Sequence, residues 1–200
     1  MKRLSPVPLL AASALTAWLA ACASLSPGAV ASLAGFDPFS ADPAALAVAV
    51  RTTQALRLRT GDVSLRIALA TDDPAEAFDE TLRLSIVDDP DASGITVEPG
   101  RRETVHVATV APEDRPRLAA IQARARAYEA AGKPKGRGTV AISFSGGCRT
   151  GEIDAGEARL STYLRTAAGQ PFFALTREQP LASALAGVPL ERLPPCAGAG

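Results

Sequence analysis

Apolar residues at every second position recur in seven stretches of this chain. That period of two constrains the fold more than any other feature. Leu46, Val48 and Val50 share one parity, with Ala45, Ala47 and Ala49 between them. Val63, Leu65, Ile67 and Leu69 alternate with Ser64, Arg66 and Ala68, and Leu82, Leu84 and Ile86 alternate with Thr81, Arg83 and Ser85. Val105 and Val107 flank His106; Val140, Ile142 and Phe144 flank Ala141 and Ser143; Leu160, Thr162 and Leu164 flank Ser161 and Tyr163; Phe173 and Leu175 follow. Successive strand side chains point to opposite faces, so each stretch reads as a strand with one face buried. Turn formers separate them: Thr60-Gly61-Asp62, Asp72-Asp73-Pro74, Asp88 to Gly94, Gly146-Gly147 and Gly169-Gln170-Pro171. Short connections favour antiparallel neighbours.

One segment follows a different period. Asp114 stands where a helix cap belongs and Pro116 falls in the tolerant first turn. Leu118, Ile121, Ala125 and Tyr128 then recur at helical spacing until Gly132 and Lys133-Pro134 end the run. This predicts an amphipathic helix near 115–131, and a shorter one is expected from Leu181 to Ala186. The expected fold class is a β-rich α+β domain of about seven mostly antiparallel strands, sandwich-like, with that helix across a sheet or an open end. An immunoglobulin-like sandwich fits the strand count, but its Cys-Trp-Cys signature is missing, since the single Trp is Trp18.

Ahead of the strands lies a different kind of segment. Met1-Lys2-Arg3 carries two positive charges, and Leu4 to Ala21 is apolar apart from Ser5, Pro6, Pro8, Ser13 and Thr16. The pattern is that of a signal peptide, and it is a poor permanent span, with two prolines near its start. It ends Leu19-Ala20-Ala21-Cys22, which resembles the lipobox of bacterial lipoproteins: an aliphatic residue and two small ones before the cysteine that receives diacylglycerol. The resemblance implies cleavage of residues 1–21 and a mature chain beginning at acylated Cys22, anchored in the lipid bilayer. Several acyl chains make such anchoring effectively permanent. Ala23 stands after the cysteine, where related lipoproteins retained in the inner membrane commonly carry aspartate, so the expected address is the outer membrane, facing the periplasm. Residues 22–35 are mostly Ala, Ser, Gly and Pro and read as a flexible tether of about 20–25 Å r.m.s. reach. Phe36 and Phe39 are costly to leave in water, so the single β-rich domain is expected to run 36–200.

Composition removes several functions. The 21 basic and 21 acidic residues cancel, and no segment concentrates Lys or Arg, which argues against a nucleic-acid partner. One His, three Cys and no Asn leave little from which to build a zinc site and exclude a Cys-His-Asn triad. No cofactor or metal is expected. Gly136-Arg137-Gly138-Thr139-Val140-Ala141 imitates a dinucleotide fingerprint, yet it precedes a strand instead of following one. Asp89-Pro90-Asp91-Ala92-Ser93-Gly94 has the first half of a calcium loop, but position twelve is Gly100 and not a bidentate Glu. It reads as a solvated acidic turn.

Export places Cys148 and Cys196 in an oxidising compartment, where an even pair usually bridges. The expected disulfide ties the tail Leu193-Pro194-Pro195-Cys196 to the domain. The alternatives are unpaired or intermolecular thiols, and a catalytic thiol at Cys148 with His106 as its base. His106 is expected on the strand face opposite Val105 and Val107, in solvent or bonded to a neighbour. Arg159, Tyr163 and Arg165 share one strand face, with Arg177 on the next strand. With Arg66 and Arg83 they make a candidate basic face for an anionic ligand, or else a salt-bridged outer surface.

Beyond the lipobox, the Phe36-Asp37-Pro38-Phe39 start, the Ser161-Thr162-Tyr163-Leu164-Arg165-Thr166 strand and the Pro195-Cys196 ending are similar to those of uncharacterised envelope lipoproteins of proteobacteria. That resemblance carries no activity. The expected function is a membrane-tethered, non-enzymatic domain that binds or scaffolds another envelope protein. A binding module for a small or polymeric anion is the alternative, and a hydrolase built on His106 or paired acids is a third.

Overall fold

The alternating stretches become the strands of one antiparallel sheet. The computed structural model describes residues 39–87, 92, 94–98, 100–132, 136–185 and 188–197. The signal segment, the lipobox with Cys22, the tether at 22–35, the domain start at Phe36 and most of the Asp89–Gly94 turn lie outside them. The long strands are β1 (Ala47–Thr53), β3 (Val63–Ala70), β4 (Phe78–Val87), β5 (Glu103–Val110), β6 (Arg137–Phe144), β8 (Arg159–Arg165) and β9 (Phe173–Pro180), each over a stretch of period two. Two short strands, β2 (Leu56–Arg57) and β7 (Cys148–Arg149), form a separate two-stranded ladder. At two residues each, they are too short to show any period.

The seven long strands hydrogen-bond in the order β6-β3-β4-β5-β1-β8-β9, every pair antiparallel. The sheet curls into a half-barrel. Flat strands lie about 4.8 Å apart, so β6 and β9 at opposite edges would stand roughly 29 Å from each other. In the curled sheet they line the same cleft. A single sheet therefore encloses its own core, where a sandwich would stack two.

The helix α1 spans Arg115–Ala130 and buries Leu118, Ile121, Gln122, Ala125 and Tyr128. Asp114 does not cap it: its backbone is itself helical, its side chain makes no capping bond, and a 3-10 turn over Pro112–Asp114 leads in. Gly132, at φ 64°, follows the C-terminal turn and donates to the Glu129 carbonyl at 3.1 Å. Arg124 donates to the carbonyls of Ala75 (2.8 Å) and Ala77 (3.1 Å) and sits over the Phe78 ring, which holds α1 against the β3–β4 corner. The second helix, α2, covers Leu181–Ala184.

The main core fills the inner face: Val48, Val50, Leu65, Ile67, Leu82, Leu84, Leu160 and Leu164 meet Leu118 and Ile121 of α1 and Leu181, Leu185, Leu190 and Leu193 of the C-terminal segment. Strand β1 is buried on its other face too. There Ala47 and Ala49 pack with Val107, Tyr163, Phe172 and Ala174, and Ala92 and Ile95 of the β4–β5 connection lie over them. The alanines between the valines of β1 are what let a loop descend onto the outer face.

Candidate functional site

Curling leaves one side of the barrel open. Between the edge strands β6 and β9 lies a cleft of about 700 Å3. Its floor is Leu46, Leu65, Ile67 and Leu164, all buried. Val140 and Ile142 of β6 face Leu175 of β9 across it, and Val140 at the rim is 41% exposed. Among the described residues, Thr162, Thr176, Gln179 and Ser183 are the polar lining residues and no charged residue lines the cleft. The Oγ1 of Thr176 is buried and has no hydrogen-bond partner among the described residues. The Phe39 ring packs on β6 beside the cleft, 3.7 Å from where a Cβ on Gly138 would stand. Gln122 and Arg126 of α1 donate to the Ala41 and Phe39 carbonyls and secure that first turn of described chain.

A second concavity of about 800 Å3 lies beside the β2–β7 ladder, among polar residues that include Arg57, Arg102, Thr104 and Glu152. It is a dent between side chains that are mostly exposed or half-buried. The first cleft penetrates the sheet's own curl, and apolar walls with a few polar groups are the usual chemistry of a binding site.

Four charged groups of the outer face are paired with one another. Arg51 lies 3.4 Å from Glu103 and 2.5 Å from Glu178, and Arg101 lies 3.3 Å from Glu103 and 2.6 Å from Glu178. Burial works against the Glu178 carboxylate, but hydrogen bonds from Arg101 and Arg51 outweigh it and hold its pKa below the ordinary value. Glu178 sits at φ 51° where the β8–β9 register slips, and its N–H donates to Ser161 Oγ at 3.0 Å. Two arginines and two glutamates cancel, so the network attracts no net counter-charge.

His106 shares the inner parity of Ala108 and Val110, while Val105 and Val107 face the smaller outer cluster. The imidazole is buried, and its Nε2 lies 3.2 Å from the Leu56 carbonyl, a bond that in the neutral ring puts the proton on Nε2. Burial foremost, with Arg57 nearby, pushes its pKa below the ordinary value, against the Leu56 bond. Cys148 is bonded to Cys196 (S–S 2.09 Å), as the cysteine count predicted. The catalytic-thiol alternative thereby loses its nucleophile.

The expected basic face requires correction. Tyr163 is 3% exposed, inside the outer cluster, because Phe172, Ala174 and the β4–β5 connection cover it. Arg165 stacks over the Phe172 ring at 4.7 Å. Arg159 donates to the carbonyls of Gly156 (2.7 Å) and Ala158 (3.2 Å). Arg66 is held bidentate by Asp79 at 2.7 and 2.5 Å, and β5 and β1 stand between Arg83 on β4 and the β8 arginines. Alternation placed these residues on one side of their strands, but it carries no information about what lies over that side. The cleft escaped sequence reasoning for a related reason: its lining comes from strands that are neighbours only at the open seam.

Among the described residues, no group of three His, Cys, Asp or Glu side chains is placed to hold a metal ion, and no helix is long and apolar enough to cross a membrane. Comparison with protein-family models, with curated proteins and with solved structures finds no match to this chain.

Proposed function

We propose that the chain is a lipid-anchored envelope protein, held through Cys22 in the outer membrane and facing the periplasm, whose half-barrel binds an envelope component without chemical turnover. The observation that carries the binding role is the uncharged apolar cleft along the open side of the barrel. Other features agree with it. The Phe39 ring packs against the wall of that cleft, so the tether expected over residues 22–35, with an r.m.s. reach of about 20–25 Å, would join the domain beside it. Cys148 is bonded to Cys196, which weakens the catalytic-thiol version of the enzyme reading. The anionic-ligand reading is weakened by the engagement of Arg159 and Arg165 and the burial of Tyr163.

The test follows the chain in cells. Labelling with an alkyne palmitate should mark the protein and be abolished by Cys22→Ser. Crosslinking of the acylated chain in intact cells, followed by mass spectrometry, should then recover a component bound at β6 and β9. Unchanged labelling of the Cys22→Ser chain ends the lipid-anchor reading. Crosslinks confined to other faces end the assignment of the cleft.

A further inference from the structure

We propose that residues 29–36 seat in the cleft between β6 and β9 as an eighth strand, antiparallel to both, with Phe36 against the apolar floor. This inference rests on the binding role assigned above and names how that site is regulated. The chain's own strand holds the cleft, and an arriving component must displace it.

The two edges of the sheet are unlike. β6 pairs with β3 over all eight of its residues, Arg137 to Phe144, in unbroken register. It is the last strand on its side, so every second residue turns its N–H and C=O away from β3, with no strand among the described residues to receive them. After Arg137 it carries no charge and no proline, and Val140 is 41% exposed. β9 carries the devices that blunt an edge: Arg177, Pro180, a slipped register and Glu178 at φ 51°. The edge left ready for a partner is β6, and only another backbone answers its row of donors and acceptors.

Strand direction fixes the sense of that backbone. Antiparallel pairing through seven strands leaves β6 and β9 running the same way, so one strand can be antiparallel to both. Eight strands also make the closed ring whose interior side chains just fill.

The position of the chain selects which strand it is. The described chain opens at Phe39, whose ring packs at Gly138, the second residue of β6. A chain that runs back from Phe39 along β6 is antiparallel to it. Three extended residues span about 10 Å, and Val140 stands about 7 Å along β6 from Gly138, so Phe36 reaches the exposed rim residue. Residues 29–36 read Ala-Val-Ala-Ser-Leu-Ala-Gly-Phe, uncharged like the cleft lining, between Pro27-Gly28 and Asp37-Pro38, and they equal β6 in length. Asp37 would find no counter-charge among the described lining residues, so it faces solvent. Alternation then turns Phe36, Ala34, Ser32 and Val30 inward and Leu33 outward. Joined through two residues to the buried Phe39, the segment acts at an effective concentration on the order of mM.

The experiment uses the full mature chain in vesicles of its own membrane lipids, with p-benzoylphenylalanine in place of Phe36. A mixture of isotope-labelled and unlabelled chains separates crosslinks within one chain from those between copies. After irradiation, crosslinks should fall within one chain, on the β6 and β9 peptides. Hydrogen exchange supplies a second readout. Phe36→Asp and Ala34→Asp should each speed exchange of the β6 amides about tenfold while β1 and β8 hold. Leu33→Asp, on the solvent side, should leave β6 unchanged.

Crosslinks from position 36 to other faces, to lipid or to a second copy overturn the proposal, whether or not the aspartate variants fold. Exchange of the β6 amides that is equally fast in the unaltered and Phe36→Asp chains overturns it too. Capture of an envelope component at β6 and β9, with position 36 never reaching them, overturns this inference and leaves the binding role standing. Labelling of β6 and β9 from position 36, with no component captured even by the Phe36→Asp chain, supports the eighth strand and removes the binding role alone.

Discussion

Glu178 on β9 places its Oε1 2.5 Å from Nη2 of Arg51 on β1, across 127 residues of sequence. The bond spans β8, which lies between the two strands, and Ser161 of β8 donates to the same carboxylate oxygen at 3.5 Å. Three strands are thus tied on the outer face by one carboxylate, at the point where β9 bulges. Arg51 also donates to the Thr96 carbonyl at 2.8 Å, which anchors the β4–β5 connection to the same group.

The two carboxylates that Arg51 touches should be worth different amounts. The Glu103 side chain is 7% exposed and that of Glu178 39% exposed. Double-mutant cycles by urea unfolding should give a coupling of about 0.2–1 kcal/mol for Arg51 with Glu178. The coupling with Glu103 should be larger, about 2–3 kcal/mol, because a buried carboxylate loses one of the two arginines that face it, Arg51 at 3.4 Å and Arg101 at 3.3 Å. Equal couplings would mean that solvent screens both pairs alike.

His106 makes stability depend on pH in a range where carboxylates do not titrate. Its folded pKa lies below the ordinary 6.5, so as pH falls through 6.5 the unfolded chain takes a proton that the folded chain refuses. Stability is full above about 6.5 and declines from there as pH drops through the lowered folded value. His106→Gln keeps a donor for the Leu56 carbonyl but removes the titration. Urea midpoints between about pH 7 and 5 should slope for the unaltered chain and flatten for the variant; matching slopes would place the pH dependence elsewhere.

The disulfide closes 48 residues of sequence separation, for which the chain-entropy relation gives about 4 kcal/mol. The tail has other attachments: Cys196 N–H donates to the Arg149 carbonyl and Arg149 N–H to the Pro194 carbonyl, both at 2.9 Å, and Leu190 and Leu193 are buried. Cys148→Ala with Cys196→Ala should therefore lower stability by about 2–4 kcal/mol while hydrogen exchange still protects the Cys196 region. Loss of that protection would show that the bridge alone holds the tail.

Gly147 sits at φ 152°, and a Cβ there would stand 2.7 Å from Leu56 Cδ1 and 3.1 Å from the Arg57 carbonyl. Gly147→Ala should cost on the order of 1–3 kcal/mol by pushing β7 off β2, with Leu56 and the His106 bond to its carbonyl disturbed together. A melting temperature equal to that of the unaltered chain would mean that the ladder gives way freely.

What the sequence determined was local and periodic. Side chains alternate along a strand by covalent geometry, so Val63 to Leu69 and Leu160 to Leu164 declare themselves without knowledge of their neighbours. The spacing of Leu118, Ile121, Ala125 and Tyr128 marks the helix for the same reason, and of the three cysteines Cys148 and Cys196 are the bonded pair. Tertiary structure decided everything that depends on what lies across a face. Parity set Tyr163 beside Arg159 and Arg165, but only the folded β4–β5 connection, seated on Ala47 and Ala49, turned that side from surface into core. Cap and turn preferences are weak enough to be overridden, as at Asp114, where a 3-10 turn replaced the side-chain bond. The cleft lies furthest from the sequence. It exists because twist accumulates over seven strands until β6 and β9 face each other, and curvature is a property of the whole sheet that no single stretch encodes.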